Sequence, residues 1–229
     1  MLERATRPRV GVDLRHLFTP RLAAVLALCG GAAAVADIWL SYSVDGFVYS
    51  WTRAILPVAA LLWIDAQRRM KPGRGWPSRH PNGGWRLWVK VSLIVTGWAL
   101  LFWGALFWVS SWFAWAPQMA RLDPTELPPF LLYACVLAPL LEEGVYRLLL
   151  CTALATRFRH RTVILISGTL FALLHYAYGN LALTNAVAGY LLAWVYLMSG
   201  SVWLTMLWHS FGNLVILLAQ VLLFQLAAN

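Results

Sequence analysis

The sequence predicts an all-α, polytopic membrane protein, a single domain over residues 1–229 with about seven transmembrane helices. Of its 229 residues, 61% are hydrophobic and only 12% are charged, and the mean hydropathy is +0.66. A soluble domain of this length could not bury that much apolar surface. Several apolar stretches also approach or exceed the roughly 20 residues that a membrane-spanning helix needs.

Seven apolar segments are predicted to be the spans, and the third is long enough that we expect it to tilt or break. They cover residues 21–40, 46–64, 87–116, 129–155, 162–178, 181–198 and 202–226. The polar stretch 65–86 is rich in proline, glycine and arginine, which disfavours regular structure, and it is predicted to be a basic cytoplasmic loop.

The distribution of positive charge predicts the orientation. The net charge of +9 could indicate a nucleic-acid partner, but the basic residues cluster in particular loops, so we predict the lipid bilayer and no nucleic acid as partner. Fifteen of the 18 lysines and arginines fall on one side of the seven predicted spans, in 4–21, 68–90 and 157–161. That side should be cytoplasmic, which predicts an integral protein of a bacterial inner (plasma) membrane with its N-terminus inside and its C-terminus outside. As an alternative, residues 1–36 could be a cleaved secretion signal, ending in Ala34-Val35-Ala36.

Three charged residues lie near the centre of the predicted fourth span, where each costs about 2.5 kcal/mol or more. Arg147 follows Glu143 by four residues, so one helical turn brings their side chains together. Glu142 points about 100° away around the helix, which makes it the candidate proton acceptor. Pro139, three residues before Glu142, is expected to free the carbonyl of Cys135. A purely structural Glu143–Arg147 clasp is the alternative.

Two histidines and an asparagine lie in later spans, and they add the chemistry that a hydrolase needs. His175 ends one apolar run, while His209 and Asn213 are four residues apart on one face of the last helix. A carboxylate and an imidazole can activate water, and an imidazole and an amide can donate to a developing oxyanion. Each residue alone could instead bond a neighbouring carbonyl or link two helices.

The depths of the two histidines do not match if the helices are straight and upright. His175 lies about 21 Å past Arg161, whereas His209 lies only about 12 Å past Ser201, at the helical rise of 1.5 Å per residue. They can meet only if helices tilt or if the connection 199–201 enters the membrane.

Three motifs together resemble one known family. Glu142-Glu143-Gly144-Val145-Tyr146-Arg147 resembles the Glu-Glu-x-x-x-Arg motif of the CPBP family, the CAAX protease and bacteriocin-processing glutamic intramembrane proteases. Phe171-Ala-Leu-Leu-His175 and His209-Ser-Phe-Gly-Asn213 resemble its second and third motifs, Phe-x-x-x-His and His-x-x-x-Asn. The three occur in the family's order, on the fourth, fifth and seventh predicted spans. The resemblance covers about residues 129–226, the predicted catalytic core, and it implies an active site between helices of this C-terminal half.

The resemblance implies an intramembrane endopeptidase with a membrane-anchored protein or peptide as substrate. It implies that Glu142 and His175 activate water, that His209 and Asn213 form the oxyanion hole, and that Glu143 and Arg147 support the site. It implies no metal, and we predict no cofactor.

Two other functions remain open from the residues. A zinc metalloprotease could use glutamate and histidine ligands, although no His-Glu-x-x-His occurs and Arg147 beside a cation would be unfavourable. A transporter or immunity protein could use the same residues as a proton relay, although no inverted repeat is visible. Prenylated C-termini, peptide leaders and membrane-anchored sorting tails all remain candidate substrates, and the oligomeric state is open.

Overall fold

The fold was analysed in a computed structural model, which describes residues 84–113, 121–180, 182–228 and ten helical residues between 24 and 43. The predicted span 46–64, most of the predicted loop 65–86 and much of the predicted first span lie outside the described residues. Every regular element described is helical, so the all-α prediction is confirmed for this part of the chain. The count of seven spans stays a prediction.

Five helices make up the described bundle: α1 (Gly84–Phe113), α2 (127–155), α3 (His160–Ala177), α4 (Leu183–Ser199) and α5 (Val202–Ala228). Two of them are long and apolar enough to cross a membrane, over Trp85–Trp112 in α1 and Val202–Leu226 in α5. The third predicted segment was expected to tilt or break; α1 is unbroken over Gly84–Phe113, and its tilt stays a prediction.

Helix α2 carries both glutamates and contains two π-helical stretches. After a 3-10 turn at Pro124–Glu126, it runs through α-helical Leu127–Leu132, π-helical Tyr133–Leu137, α-helical Ala138–Glu143, π-helical Gly144–Cys151 and α-helical Thr152–Ala155. Backbone angles at every junction stay in the right-handed helical region, so the five pieces form one continuous helix. Wider π turns inside α-helices are frequent at functional sites, and here they flank the two glutamates.

Helices α2 and α5 run antiparallel, and three contacts define their register. The His209 imidazole meets the Glu143 carboxylate, the Asn213 amide meets the Ala134 carbonyl, and the Leu122 N–H donates to the Gln220 carbonyl at 3.4 Å. Positions rise along α5 as they fall along α2. In this register, the third sequence motif, which begins at His209, faces the first, which begins at Glu142.

Helices α3 and α4 pack closely because both carry glycine at the crossing. A Cβ on Gly168 would lie only 2.3 Å from a ring carbon of Tyr190, and one on Gly189 would lie 3.0 Å from the Gly168 carbonyl oxygen. Thr169 and Tyr190 join their hydroxyls beside the crossing, 2.9 Å apart. Small residues at helix crossings in membranes let backbones approach in this way. The crossing positions His175, which lies two turns further along α3.

Gly168→Ala is expected to destabilise the bundle, because the added methyl group meets the Tyr190 ring close to its attachment at Cγ, where rotation cannot clear it. Overpacking of this kind costs about 1–3 kcal/mol, which thermal unfolding in detergent would detect. Gly104→Ala in α1 is the matched control: a Cβ there meets nothing within 4 Å, and alanine favours helix over glycine. Equal stability of the two variants would contradict the close crossing.

The turn between α4 and α5 is buried, although turns usually lie on the surface. Ser199 and Ser201 are fully buried, and Gly200 adopts the left-handed conformation with φ 64° that lets the chain reverse. The Gly200 N–H donates to the Tyr196 carbonyl, the Ser199 hydroxyl accepts from the Ser201 N–H, and the Ser201 hydroxyl accepts from the Leu204 N–H. Irregular backbone at membrane depth is tolerated where protein surrounds it. Such a buried turn is what the sequence requires of the connection 199–201 if it enters the membrane; helix tilt is the other way in which the two histidines can meet.

Candidate active site

Glu143 and Arg147 form a fully buried ion pair in α2. The Arg147 Nε atom lies 3.1 Å from Glu143 Oε2, and both side chains have no solvent exposure. The guanidinium also donates from Nη2 to the Gly189 carbonyl of α4 at 3.3 Å. Because Gly189 has no side chain, its carbonyl is accessible at the tight crossing. One arginine thus links the glutamate of α2 to the α3–α4 crossing.

His209 bridges the two glutamates. Its Nδ1 lies 2.8 Å from Glu143 Oε1, and since a carboxylate oxygen can only accept, Nδ1 carries the proton. Its Nε2 lies 3.8 Å from Glu142 Oε2. The two oxygens of Glu143 are therefore engaged by Arg147 and His209, and the second ring nitrogen of His209 is directed at Glu142.

His175 approaches Glu142 from α3. Its Nδ1 donates to the Phe171 carbonyl, one turn earlier, at 2.9 Å, which leaves Nε2 to face Glu142 Oε2 at 3.9 Å. A backbone carbonyl that fixes one ring nitrogen also fixes the orientation of the other. Glu142 Oε2 thus lies between two imidazole Nε2 atoms at nearly equal distances.

The Phe171 ring packs against most members of this cluster. It stacks on the His175 ring at 4.3 Å between centroids and meets the His209 ring edge-on at 6.2 Å. The Arg147 guanidinium lies 4.9 Å from its centroid, within cation–π range. Phe171 is only 1% exposed, so it holds the imidazoles in place on their apolar side.

Asn213 lies one turn past His209, and its amide Nδ2 donates to the Ala134 carbonyl of α2 at 2.7 Å. The helix itself offers that carbonyl no donor. The Ala138 N–H, which would serve it in an α-helix, bonds to Tyr133, and Pro139, which would serve it in a π-helix, has no N–H. The Ala134 carbonyl is thus left for Asn213 because the helix is π-wound before the proline, and the release of the Cys135 carbonyl stays a prediction.

The predicted residues therefore divide into two groups. Glu142, Glu143, Arg147, His175 and His209 form one connected cluster. Asn213 contacts α2 at a different place: its amide bonds the carbonyl of Ala134, which precedes Glu142 by about two turns. Sequence reasoning missed the contact of His209 with Glu143, the carbonyls of Ala134 and Gly189, and the packing role of Phe171. Of these features, only Phe171 could have been found in the sequence, because it is the first residue of the second motif.

In the described parts of the chain, no group of three or more histidine, cysteine, aspartate or glutamate side chains could hold a metal ion. What the cluster offers instead is a buried carboxylate beside two oriented imidazoles, a set that can accept, carry and donate protons.

Residues 124–215 match the model of a protein family described as type II CAAX prenyl endopeptidase Rce1-like. The resemblance to the CPBP family is confirmed. The match includes all three motifs and every residue of the cluster, although it covers less than half of the chain. No curated protein and no solved structure matches the chain significantly.

The family match and the fold together support a hydrolase of the membrane. The matched family is one of proteases of the CAAX type, which supports an intramembrane endopeptidase in general terms. Two helices are able to cross a bilayer by length and composition, and they fit an integral membrane protein that acts on a membrane-associated substrate.

Proposed function

We propose that the protein is a glutamic-type intramembrane endopeptidase that hydrolyses a peptide bond of a membrane-anchored protein or peptide. The observation that carries the proposal is the position of Glu142 Oε2 between His175 Nε2 and His209 Nε2, at 3.9 and 3.8 Å. Both gaps exceed a direct hydrogen bond, and polar groups this far apart can share a bridging water. A water molecule held there would touch the base that deprotonates it.

In the proposed reaction, Glu142 takes a proton from the water while the water oxygen attacks the carbonyl carbon of the scissile bond. His175, whose Nδ1–H is held by the Phe171 carbonyl, orients the water through Nε2. The tetrahedral intermediate then collapses as the C–N bond breaks. The proton passes from Glu142, through His175, to the leaving nitrogen. The products are a carboxylic acid and an amine, and the acid then gives its proton to the amine, which leaves a carboxylate and an ammonium group.

His209 is proposed to donate from Nε2 to the oxyanion, and this role requires a proton on both ring nitrogens. The Glu143 carboxylate at Nδ1 supplies the matching negative charge. With His209 charged, the two carboxylates of the cluster are balanced by Arg147 and His209, which limits the cost of burying four charges. Glu143 and Arg147 thus act by positioning and neutralising.

Asn213 is proposed as the second oxyanion donor. Its amide nitrogen carries two N–H groups, and one of them bonds the Ala134 carbonyl. That bond fixes the plane of the amide, so the second N–H has a defined direction. Donors oriented before the reaction are the effective ones in oxyanion stabilisation.

The cellular setting is proposed from charge. We infer seven spans in a bacterial inner (plasma) membrane, with the N-terminus and the exposed residues Arg157, Arg159 and Arg161 on the cytoplasmic side and the C-terminus outside. No cofactor is proposed.

Comparing the membrane proteome of a deletion strain with those of strains complemented by the wild-type chain or by Glu142→Gln tests the proposal. A truncated membrane protein present only with the wild-type chain is expected. Cleavage that persists after exhaustive chelation separates this reaction from a zinc metalloprotease, whose activity would be lost. Identical proteomes in all three strains would favour the transporter or immunity alternative and contradict the protease.

Asn213→Ala is expected to slow the chemical step by about 10²- to 10³-fold. Substrate binding should change little, because the donor matters most once the carbonyl becomes tetrahedral. His209→Ala should follow the same pattern, and the double variant should lose less than the product of the two, since the residues act as a unit. Single-turnover kinetics on a purified substrate measure this.

Thermal unfolding of the same variants is the control for the bond between Asn213 and Ala134. If Asn213→Ala lowered stability or weakened binding while the chemical step kept its rate, Asn213 would be a link between α5 and α2. It would then leave the catalytic set.

A further inference from the structure

Helix α4 carries none of the proposed catalytic or supporting side chains, yet its buried Gly189 contacts the cluster through the backbone. The Gly189 carbonyl accepts from Arg147 Nη2 at 3.3 Å. Arg147 also pairs with Glu143, whose second oxygen meets His209 Nδ1 at 2.8 Å. One carbonyl of α4 is therefore connected to His209 through two buried side chains.

A second side of Gly189 faces Phe171. A Cβ on Gly189 would lie 3.0 Å from Phe171 Cδ1 and 3.2 Å from Phe171 Cβ, which is closer than carbon atoms normally pack. Phe171 is 1% exposed and stacks on the His175 ring at 4.3 Å between centroids. The missing side chain at Gly189 thus lets Phe171 take the position in which it supports His175.

Close packing of helices is the simpler explanation for this glycine, and it covers only part of the observations. The Gly168 carbonyl oxygen would lie 3.0 Å from a Cβ on Gly189, so the crossing alone already disfavours a side chain. It does not explain why the same residue bonds Arg147 and lies against Phe171. For Gly168, the three atoms nearest to an added Cβ all belong to Tyr190, which is not a member of the cluster.

We propose that Gly189 is a positioning residue of the active site. Its carbonyl holds the guanidinium that orients the Glu143–His209 pair, and its lack of a side chain admits the ring that supports His175. The two imidazoles beside the proposed base are thereby fixed from one point on α4. This role rests on the proposed function, and Gly189 lies outside the three sequence motifs.

Gly189→Ala is expected to lower kcat about tenfold or more, while KM changes less than about twofold. The methyl group should displace the Phe171 ring by a few tenths of an ångström, and misplacing reacting groups by about 1 Å can cost about 100-fold. Turnover is measured on the membrane protein that the proteome comparison identifies.

Val163→Ala is the matched control for lost stability. It truncates a fully buried side chain on the same helix as Phe171, in a hydrophobic cluster that does not include Phe171. It should lower the midpoint of thermal unfolding and leave the kcat of the folded enzyme unchanged. An equal loss of kcat in Val163→Ala would make Gly189 a packing residue and overturn the proposal.

The route through Phe171 is tested in a Phe171→Leu background, which lacks the ring carbon nearest to the added methyl group. There Gly189→Ala should cost little further kcat, because two changes that act through one contact are not additive. This comparison also serves if Gly189→Ala alone does not fold, since the shorter side chain makes room for the methyl group. A further tenfold loss in this background, on the order expected for the single variant, would overturn the proposal.

A measurement without substrate separates this role from the proposed reaction. In the full chain in detergent micelles, with isotope-labelled histidine, the nuclear magnetic resonance signal of the His175 ring is identified by its loss in His175→Gln. Because the stacked Phe171 ring shifts that signal through its ring current, the signal should move in Gly189→Ala and stay in place in Val163→Ala.

An unchanged His175 signal in Gly189→Ala, a wild-type kcat, or a change confined to KM overturns the proposal. A wild-type chain that cleaves nothing would contradict the proposed function, and the His175 signal would still test the contact with Gly189.

Discussion

Glu142→Gln is expected to abolish cleavage while the protein remains folded and inserted in the membrane. The amide has nearly the shape of the carboxylate but cannot take a proton from water. General-base catalysis contributes about 10²- to 10⁴-fold, so the loss should be at least about 100-fold. The change keeps the volume of a side chain that is only 9% exposed, and therefore it should leave thermal stability nearly unchanged. Turnover of a purified substrate and thermal unfolding measure the two effects.

Glu126→Gln is the matched control, because it makes the same chemical change on an exposed side chain just before the same helix. It should keep wild-type turnover. A Glu142→Gln protein that retained more than about a tenth of wild-type turnover would contradict the role of Glu142 as base. A loss of turnover that is explained by unfolding would instead assign Glu142 a structural role, and the stability measurement would reveal it.

The contacts that the sequence predicted are those that depend on local geometry. Glu143 meets Arg147 because residues four apart share a helix face, and the wider turn that begins at Gly144 still leaves Arg147 Nε 3.1 Å from Glu143 Oε2. The bond of His175 to the Phe171 carbonyl also lies within one turn, and a neighbouring carbonyl was the alternative partner that the sequence left open for each histidine. These contacts need no knowledge of the tertiary fold.

The contacts that the sequence could not predict depend on how helices are aligned. No local pattern in the sequence predicts that His209 bonds to Glu143 and approaches Glu142 with its other ring nitrogen. These contacts follow from the antiparallel register of α5 on α2. The same holds for Gly189, whose carbonyl meets Arg147 only at the close crossing of α3 and α4.

Backbone winding sets a second limit on prediction. Pro139 predicts that one carbonyl of the helix lacks its hydrogen bond. Which carbonyl this is depends on whether the helix before the proline is α- or π-wound. The π turn at Tyr133–Leu137 directs the Ala138 N–H to the Tyr133 carbonyl, and this leaves the Ala134 carbonyl to accept from Asn213. Propensities cannot foresee a π turn, since it is stabilised by tertiary contacts.

Arg147→Ala is expected to be the most destabilising single change in the site. It leaves the Glu143 carboxylate buried without its cation, and it also removes the bond to the Gly189 carbonyl and the contact with the Phe171 ring. Breaking a fully buried ion pair by deleting one partner costs about 3–5 kcal/mol. Lower expression and a lower midpoint of thermal unfolding should follow, together with lost cleavage. Arg157→Ala, at an exposed arginine after the same helix, should leave stability and cleavage unchanged.

The double variant Glu143→Gln/Arg147→Met separates the stranded charge from the lost packing. Replacing both members of a buried pair removes the uncompensated carboxylate, and such replacements are often neutral for stability. The double variant should therefore unfold at a higher temperature than Arg147→Ala. It should still fail to cleave, because His209 loses the carboxylate that balances its charge. Arg147→Ala as stable as the wild type would contradict the buried pair. A double variant with full cleavage would show that Glu143 and Arg147 do not position the catalytic groups.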